Sequence, residues 1–173
     1  MKKCILGLCI LGLTNLICAQ NDLAMVTANV DNLTAKSVKT SEINNAKYLY
    51  SSNLDAQNLA LNIKKLQKIA ADYDIKNDVV YSKNKTITYD VVFKDNANII
   101  NAVYDYNGII ISSEEYYENV RLPYSLTKAL ANEYPGWSFA KSNCTIMYSK
   151  NGEVKSTYNI KLKKGNKMKL ITR

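Results

Sequence analysis

Fifteen aspartates and glutamates, a single cysteine beyond residue 19 and no histidine bound the chemistry open to this chain of 173 residues. The acidic groupings are Asp72 with Asp74, and Glu114 and Glu115 with Glu118. Asp72 and Asp74 fall where a helical pattern gives way to turn residues, a place where aspartate binds local backbone N–H groups. Glu114 and Glu115 are adjacent, and neighbours in a strand point to opposite faces, so they do not make an acid–base pair. Calcium loops interleave Asp, Asn and Gly more densely than either grouping does. With no histidine and no P-loop spacing among six glycines, nucleotide chemistry has no phosphate cradle. The expectation is a protein that is not an enzyme, with no catalytic residues, no cofactor and no metal. Cys144 lies in a predicted strand, where burial as a small hydrophobe is expected, pairing between chains being the alternative.

Binding chemistry is better represented. The chain holds thirteen tyrosines, most of them alternating with apolar residues as core or half-buried strand positions do. Tyrosine also anchors protein partners, because it offers contact area at little entropic cost. Tyr104, Tyr106, Tyr116 and Tyr117 beside Glu114 and Glu115 therefore form a candidate partner-binding patch. A second feature is charge: residues 141–173 carry nine Lys and Arg against Glu153 alone, within a net charge of +8 for the chain. Lys155, Lys161 and Lys163 alternate outward on a predicted strand and are candidates for an acidic protein or anionic polymer. The plain alternative is a solvated strand face whose lysines blunt edge pairing.

The elements that must position these residues follow from periodicity. Leu59, Ile63, Leu66, Ala70 and Tyr73 make one apolar stripe of a helix with Asp55 as N-cap, and residues 74–78 end it in a turn. Val79–Tyr81 is a predicted short strand pairing with a second over Ile87–Phe93. Ile99–Tyr104 and Ile109–Ser113 flank Asp105-Tyr106-Asn107-Gly108, where Asn-Gly predicts a type I′ hairpin turn. Pro123 opens a second helix with Leu126, Ala129, Leu130 and Tyr134 as its buried face, and Pro135-Gly136 stops it. One strand, bulged or not, follows from Trp137 to Ser149. Asn151-Gly152 then turns the chain into Val154–Leu162, and Gly165-Asn166 into Met168–Thr172.

The N-terminus reads as a secretion signal: Lys2 and Lys3, an apolar run from Ile5 to Ile17, and cleavage after Ala19. Cys18 raises lipidation, which bulky Ile17 disfavours. No stretch is long enough to span a bilayer. The protein is expected to be periplasmic or secreted, so nucleic acid is not an expected partner. Residues 20–46 read as an arm or linker, with Val26, Val30 and Leu33 able to add one short strand or helix.

The chain also repeats. Lys65–Ala71 matches Ser125–Ala131, and Thr88–Lys94 matches Thr157–Lys163, which divides it into units at 47–121 and 122–173. The expected fold is α+β: two tandem helix-plus-antiparallel-sheet units, helices on one face of the sheet, the second unit truncated. Residues Tyr104–Ile110, Leu122-Pro123, Glu133–Trp137 and Thr157–Leu162 resemble motifs of the PepSY-like family of small secreted bacterial proteins, over roughly residues 60–173. The resemblance implies a fold like that of the β-lactamase inhibitor protein and a role in holding or inhibiting an enzyme. It supplies no residue set for inhibition. Together these readings predict a non-catalytic module that holds an envelope or extracellular protein or peptide on its sheet, an inhibitor of an envelope hydrolase being one form. The alternative is an envelope structural or adhesion protein that binds anionic glycans through its basic C-terminal strands.

Overall fold

The computed structural model describes residues 23–29, 45–52, 61–152 and 154–173. Seven strands lie in one sheet in the order of the chain: β1 (Leu23–Asn29), β2 (Thr88–Asp95), β3 (Asn98–Tyr104), β4 (Ile110–Tyr117), β5 (Ser138–Ser149), β6 (Lys155–Lys164) and β7 (Lys167–Thr172). β1 runs parallel to β2, and every later neighbour is antiparallel. The helices are α1 (Ala46–Ser52), α2 (Leu61–Asp72) and α3 (Tyr124–Glu133), with a single 3-10 turn at Ile75–Asn77. The expected secretion signal and the expected Asp55 cap lie outside the described residues.

Period-two alternation gives the sheet one buried face and, among the described residues, one open face. On the buried face Phe93, Ile100, Glu115 and Ile146 make one row across β2–β5, and Val91, Ala102, Ser113 and Tyr148 the next. α2 covers this face with Ile63, Leu66, Gln67 and Ala70, the i, i+3, i+4, i+7 stripe of an amphipathic helix. Burying a side chain the size of Ile63 or Leu66 contributes roughly 1.5–3 kcal/mol. α1 extends the cover. Its entry is fixed by buried Asn45, whose amide donates to the carbonyls of Ala71 and Gly108 and accepts from the Ile110 N–H at 2.7 Å.

The expected pair of tandem helix-plus-sheet units is not what forms. β4 and β5 pair from Ser112–Ser149 to Tyr117–Cys144, so both copies of the repeat belong to one continuous sheet. The second helix contributes little core: Leu130 alone is fully buried in α3, and Ala129, expected inside, is exposed. The cause lies beneath it, where β7 buries only Ile171 and offers lysines instead of apolar area. The result is sheet-dominated, with short helices.

Two local expectations also change. Val79–Tyr81 is not a strand; Val79 is 99% exposed. Asp78 takes the Tyr73 hydroxyl and the Val80 N–H, while the Tyr89 hydroxyl occupies both backbone groups of Ser82, and β1 fills the edge of β2. The Asp105–Gly108 hairpin forms, but Asn107 does not take the positive φ of a type I′ turn. Only Gly108 does, at φ 81°, while Asp105 Oδ1 accepts from the N–H groups of Asn107 and Ile109 at 2.9 Å each.

Candidate functional site

The sheet separates the expected tyrosine–glutamate patch into two faces. Tyr104, Glu115 and Tyr117 lie fully buried beneath the helices, which removes them from any docking surface. Tyr104 donates its hydroxyl to the Ala70 carbonyl at 2.6 Å. The Glu115 carboxyl is surrounded: Oε1 accepts from Tyr48 at 2.7 Å and Ser113 at 3.0 Å, Oε2 from Gln67 at 2.8 Å and Tyr117 at 2.5 Å. Burial first, and then the nearby Glu115 carboxyl, push the Tyr48 and Tyr117 hydroxyls well above their ordinary range. Four donors converging on one carboxyl bind α1 and α2 to β4. This is a structural clasp with no opening to solvent. Tyr106 sits half-buried in the hairpin turn, where its carbonyl accepts from Tyr81.

The open face keeps Glu114 and Tyr116. Val92, Asn101, Glu114, Met147 and Lys155 form one row across β2–β6. A half-open concavity of about 540 Å³ lies here, lined by residues of β2–β5 that include Asp90, Val92, Asn101, Val103, Glu114 and Met147, which is 54% exposed. Loss of hydration lifts the Asp90 carboxyl above its ordinary range. At one rim Tyr116 donates to Glu118 at 3.2 Å, and Lys141 pairs with Glu118 at 3.1 Å. These bonds, that of Lys141 first, hold the Glu118 carboxyl below its usual range.

The basic strands divide by face. On the helix side Lys164 reaches the Pro135 carbonyl, Lys169 lies 4.6 Å over the Tyr134 ring, and Arg173 takes both oxygens of Glu133 at 2.9 and 3.0 Å. Those three grip the end of α3. On the open face Lys155, Lys161 and Lys163 are exposed and make no ion pair among the described residues. The remaining acidic grouping is local: Asp72 pairs with Lys68, and Asp74 caps the 3-10 turn. Cys144 is buried in β5. No cluster of three metal-binding side chains occurs among the described residues, and no helix there is long and apolar enough to cross a membrane. No protein-family profile, curated protein or solved structure matches the chain.

Sequence reasoning missed the Asn45 and Glu115 clasps. A signal for the second is present, because Glu115 sits between Ser113 and Tyr117 at the spacing of one strand face.

Proposed function

We propose that the chain is a non-catalytic binding module of the periplasm or extracellular space that holds a protein or peptide on the open face of its sheet. Inhibition of an envelope hydrolase is one form such holding takes, and kinship with PepSY-like secreted proteins belongs to the same proposal. The observation that carries it is the concavity across β2–β5, on a sheet face that no described element covers, combining Val92, Val103 and Met147 with Asp90, Glu114 and Asn101. Apolar side chains interspersed with polar ones are the composition of protein-recognition surfaces. Glu115 is occupied by four donors on the other face, which separates it from Glu114 and keeps the two from acting as an acid–base pair.

The test is capture from an envelope extract by the native chain and by Met147→Arg, which places a bulky charge in the concavity at an exposed position. A partner held by the native chain and lost by the variant, with unchanged circular dichroism, is the expected result. Equal retention by both chains, or no partner in repeated extracts, would overturn the reading.

A further inference from the structure

β7 is the outermost strand of the sheet among the described residues. Its ladder with β6 fixes which backbone groups look outward. Tyr158 N–H donates to the Arg173 carbonyl at 2.6 Å and Arg173 N–H to the Tyr158 carbonyl at 2.9 Å, so these two form a hydrogen-bonded pair. Alternation then turns Ile171, Lys169 and Lys167 toward β6, and the N–H and C=O groups of Met168, Leu170 and Thr172 away from it. Side chains alternate in the same step. Met168 and Leu170, 53% and 72% exposed, stand on the open face beside Lys163 and Lys161, while Lys167 and Lys169 stand on the helix face.

We propose that β7 accepts an added antiparallel or parallel strand from an acidic partner polypeptide, an extended segment in which Asp or Glu alternates with apolar residues. The outward backbone groups of Met168 and Leu170 would supply the ladder. Apolar side chains of the added strand would cover Met168 and Leu170, and its carboxylates would meet Lys167 and Lys169 across the other face. This edge is separate from the β2–β5 concavity and goes beyond the reading given to it. A second copy of the chain does not fit, because β7 against β7 sets Lys167 and Lys169 on one face against their own kind. The same lysines that blunt like-with-like pairing thus select an acidic strand. A lipid surface would leave the outward N–H and C=O groups without partners, and a glycan would use the charge but not the ladder.

The experiment titrates the full chain with two capped synthetic peptides of one composition, Glu-Val-Glu-Val-Glu-Val and Glu-Glu-Glu-Val-Val-Val, following amide NMR shifts and hydrogen exchange at Leu170. The alternating peptide should bind and protect the Leu170 amide, and the block peptide should bind roughly tenfold more weakly, about 1.4 kcal/mol. Lys167→Glu should weaken binding several-fold. Lys65→Glu, the same charge change at an exposed position of α2, should leave it within about twofold. Leu170→Pro removes an outward N–H and no bond to β6, and should abolish the shifts that the alternating peptide causes at the Met168 and Thr172 amides. Met147→Arg should change nothing here, which keeps a failure of the concavity distinct from a failure of the edge. Equal binding of the two peptides, or equal effects of Lys65→Glu and Lys167→Glu, would overturn the proposal. So would retention on sulfated glycan beads or anionic phosphatidylglycerol vesicles without binding of the alternating peptide.

Discussion

The Glu115 carboxyl draws its four donors from α1, α2 and its own strand, so one side chain sets how two helices sit on the sheet. Removing it leaves those donors buried and unsatisfied. Glu115→Leu is expected to destabilise the fold by about 3 kcal/mol, whereas Tyr48→Phe, which deletes a single donor, should cost about 1–2 kcal/mol. Urea unfolding followed by tryptophan fluorescence checks both; a neutral Glu115→Leu would mean that the clasp contributes nothing net. This residue also marks how far the sequence can be read. β4 is written in doublets, Ile110-Ile111, Ser112-Ser113, Glu114-Glu115 and Tyr116-Tyr117, which present the same residue types to both faces. Periodicity separates Glu114 from Glu115 but cannot say which one is buried. That choice is made by Tyr48 and Gln67, which come from elements far away in the chain.

At the scale of elements, α3 is held by one fully buried residue, Leu130, by half-buried Leu126 against the core, and by the grip of Lys164, Lys169 and Arg173. Leu130→Ala should cost about 2–4 kcal/mol and release amide protection in α3 before the sheet. Simultaneous loss of protection in α3 and β2–β4 would refute that local detachment. Acid should act in the same place. The Tyr134 hydroxyl, then Arg173, hold the Glu133 carboxyl below its ordinary value of 4.5. A depressed carboxyl contributes stability that is present above the ordinary value and lost as pH falls through the lowered one. The ends of α3 and β7 should therefore loosen below pH 4.5, and Glu133→Gln should flatten that response. Hydrogen exchange along a pH series measures it. β2, β6, β7 and α2 are legible because their own alternation or stripe specifies them, and β3 and β4 because they flank the Asp105–Gly108 turn. α1 is not: seven residues are too few to form a helix unaided, and Asn45 and Tyr48 hold it through tertiary bonds. Val79-Val80 carries strand propensity, but the edge it would pair with is taken by β1.

At the scale of the whole molecule, the core is lined with buried tyrosines. Burial pushes the hydroxyls of Tyr48, Tyr104 and Tyr117 well above the ordinary 10.0. A raised value means stability present below pH 10 and lost as pH rises above it, because the unfolded chain releases those protons first. Alkaline unfolding should thus be cooperative, with the tyrosinate absorbance of these rings rising together with loss of far-ultraviolet circular dichroism. Ionisation of all thirteen tyrosines in a chain that keeps its dichroism would contradict it. The repeat was legible as two similar segments, yet the joining of β4 to β5 was not, since the registers that continue a sheet leave no periodic mark of their own.

Sequential strand order has a kinetic consequence. From β2 to β7 each strand pairs with the one before or after it, so most of the sheet closes short loops at small entropic cost. β1 is the exception: its partner begins at Thr88, beyond both α1 and α2. During refolding the antiparallel strands should gain protection first and β1 last, in pulse-labelled exchange. Of all the strands, β1 should then be the one that another extended chain could replace while the rest of the sheet stays folded.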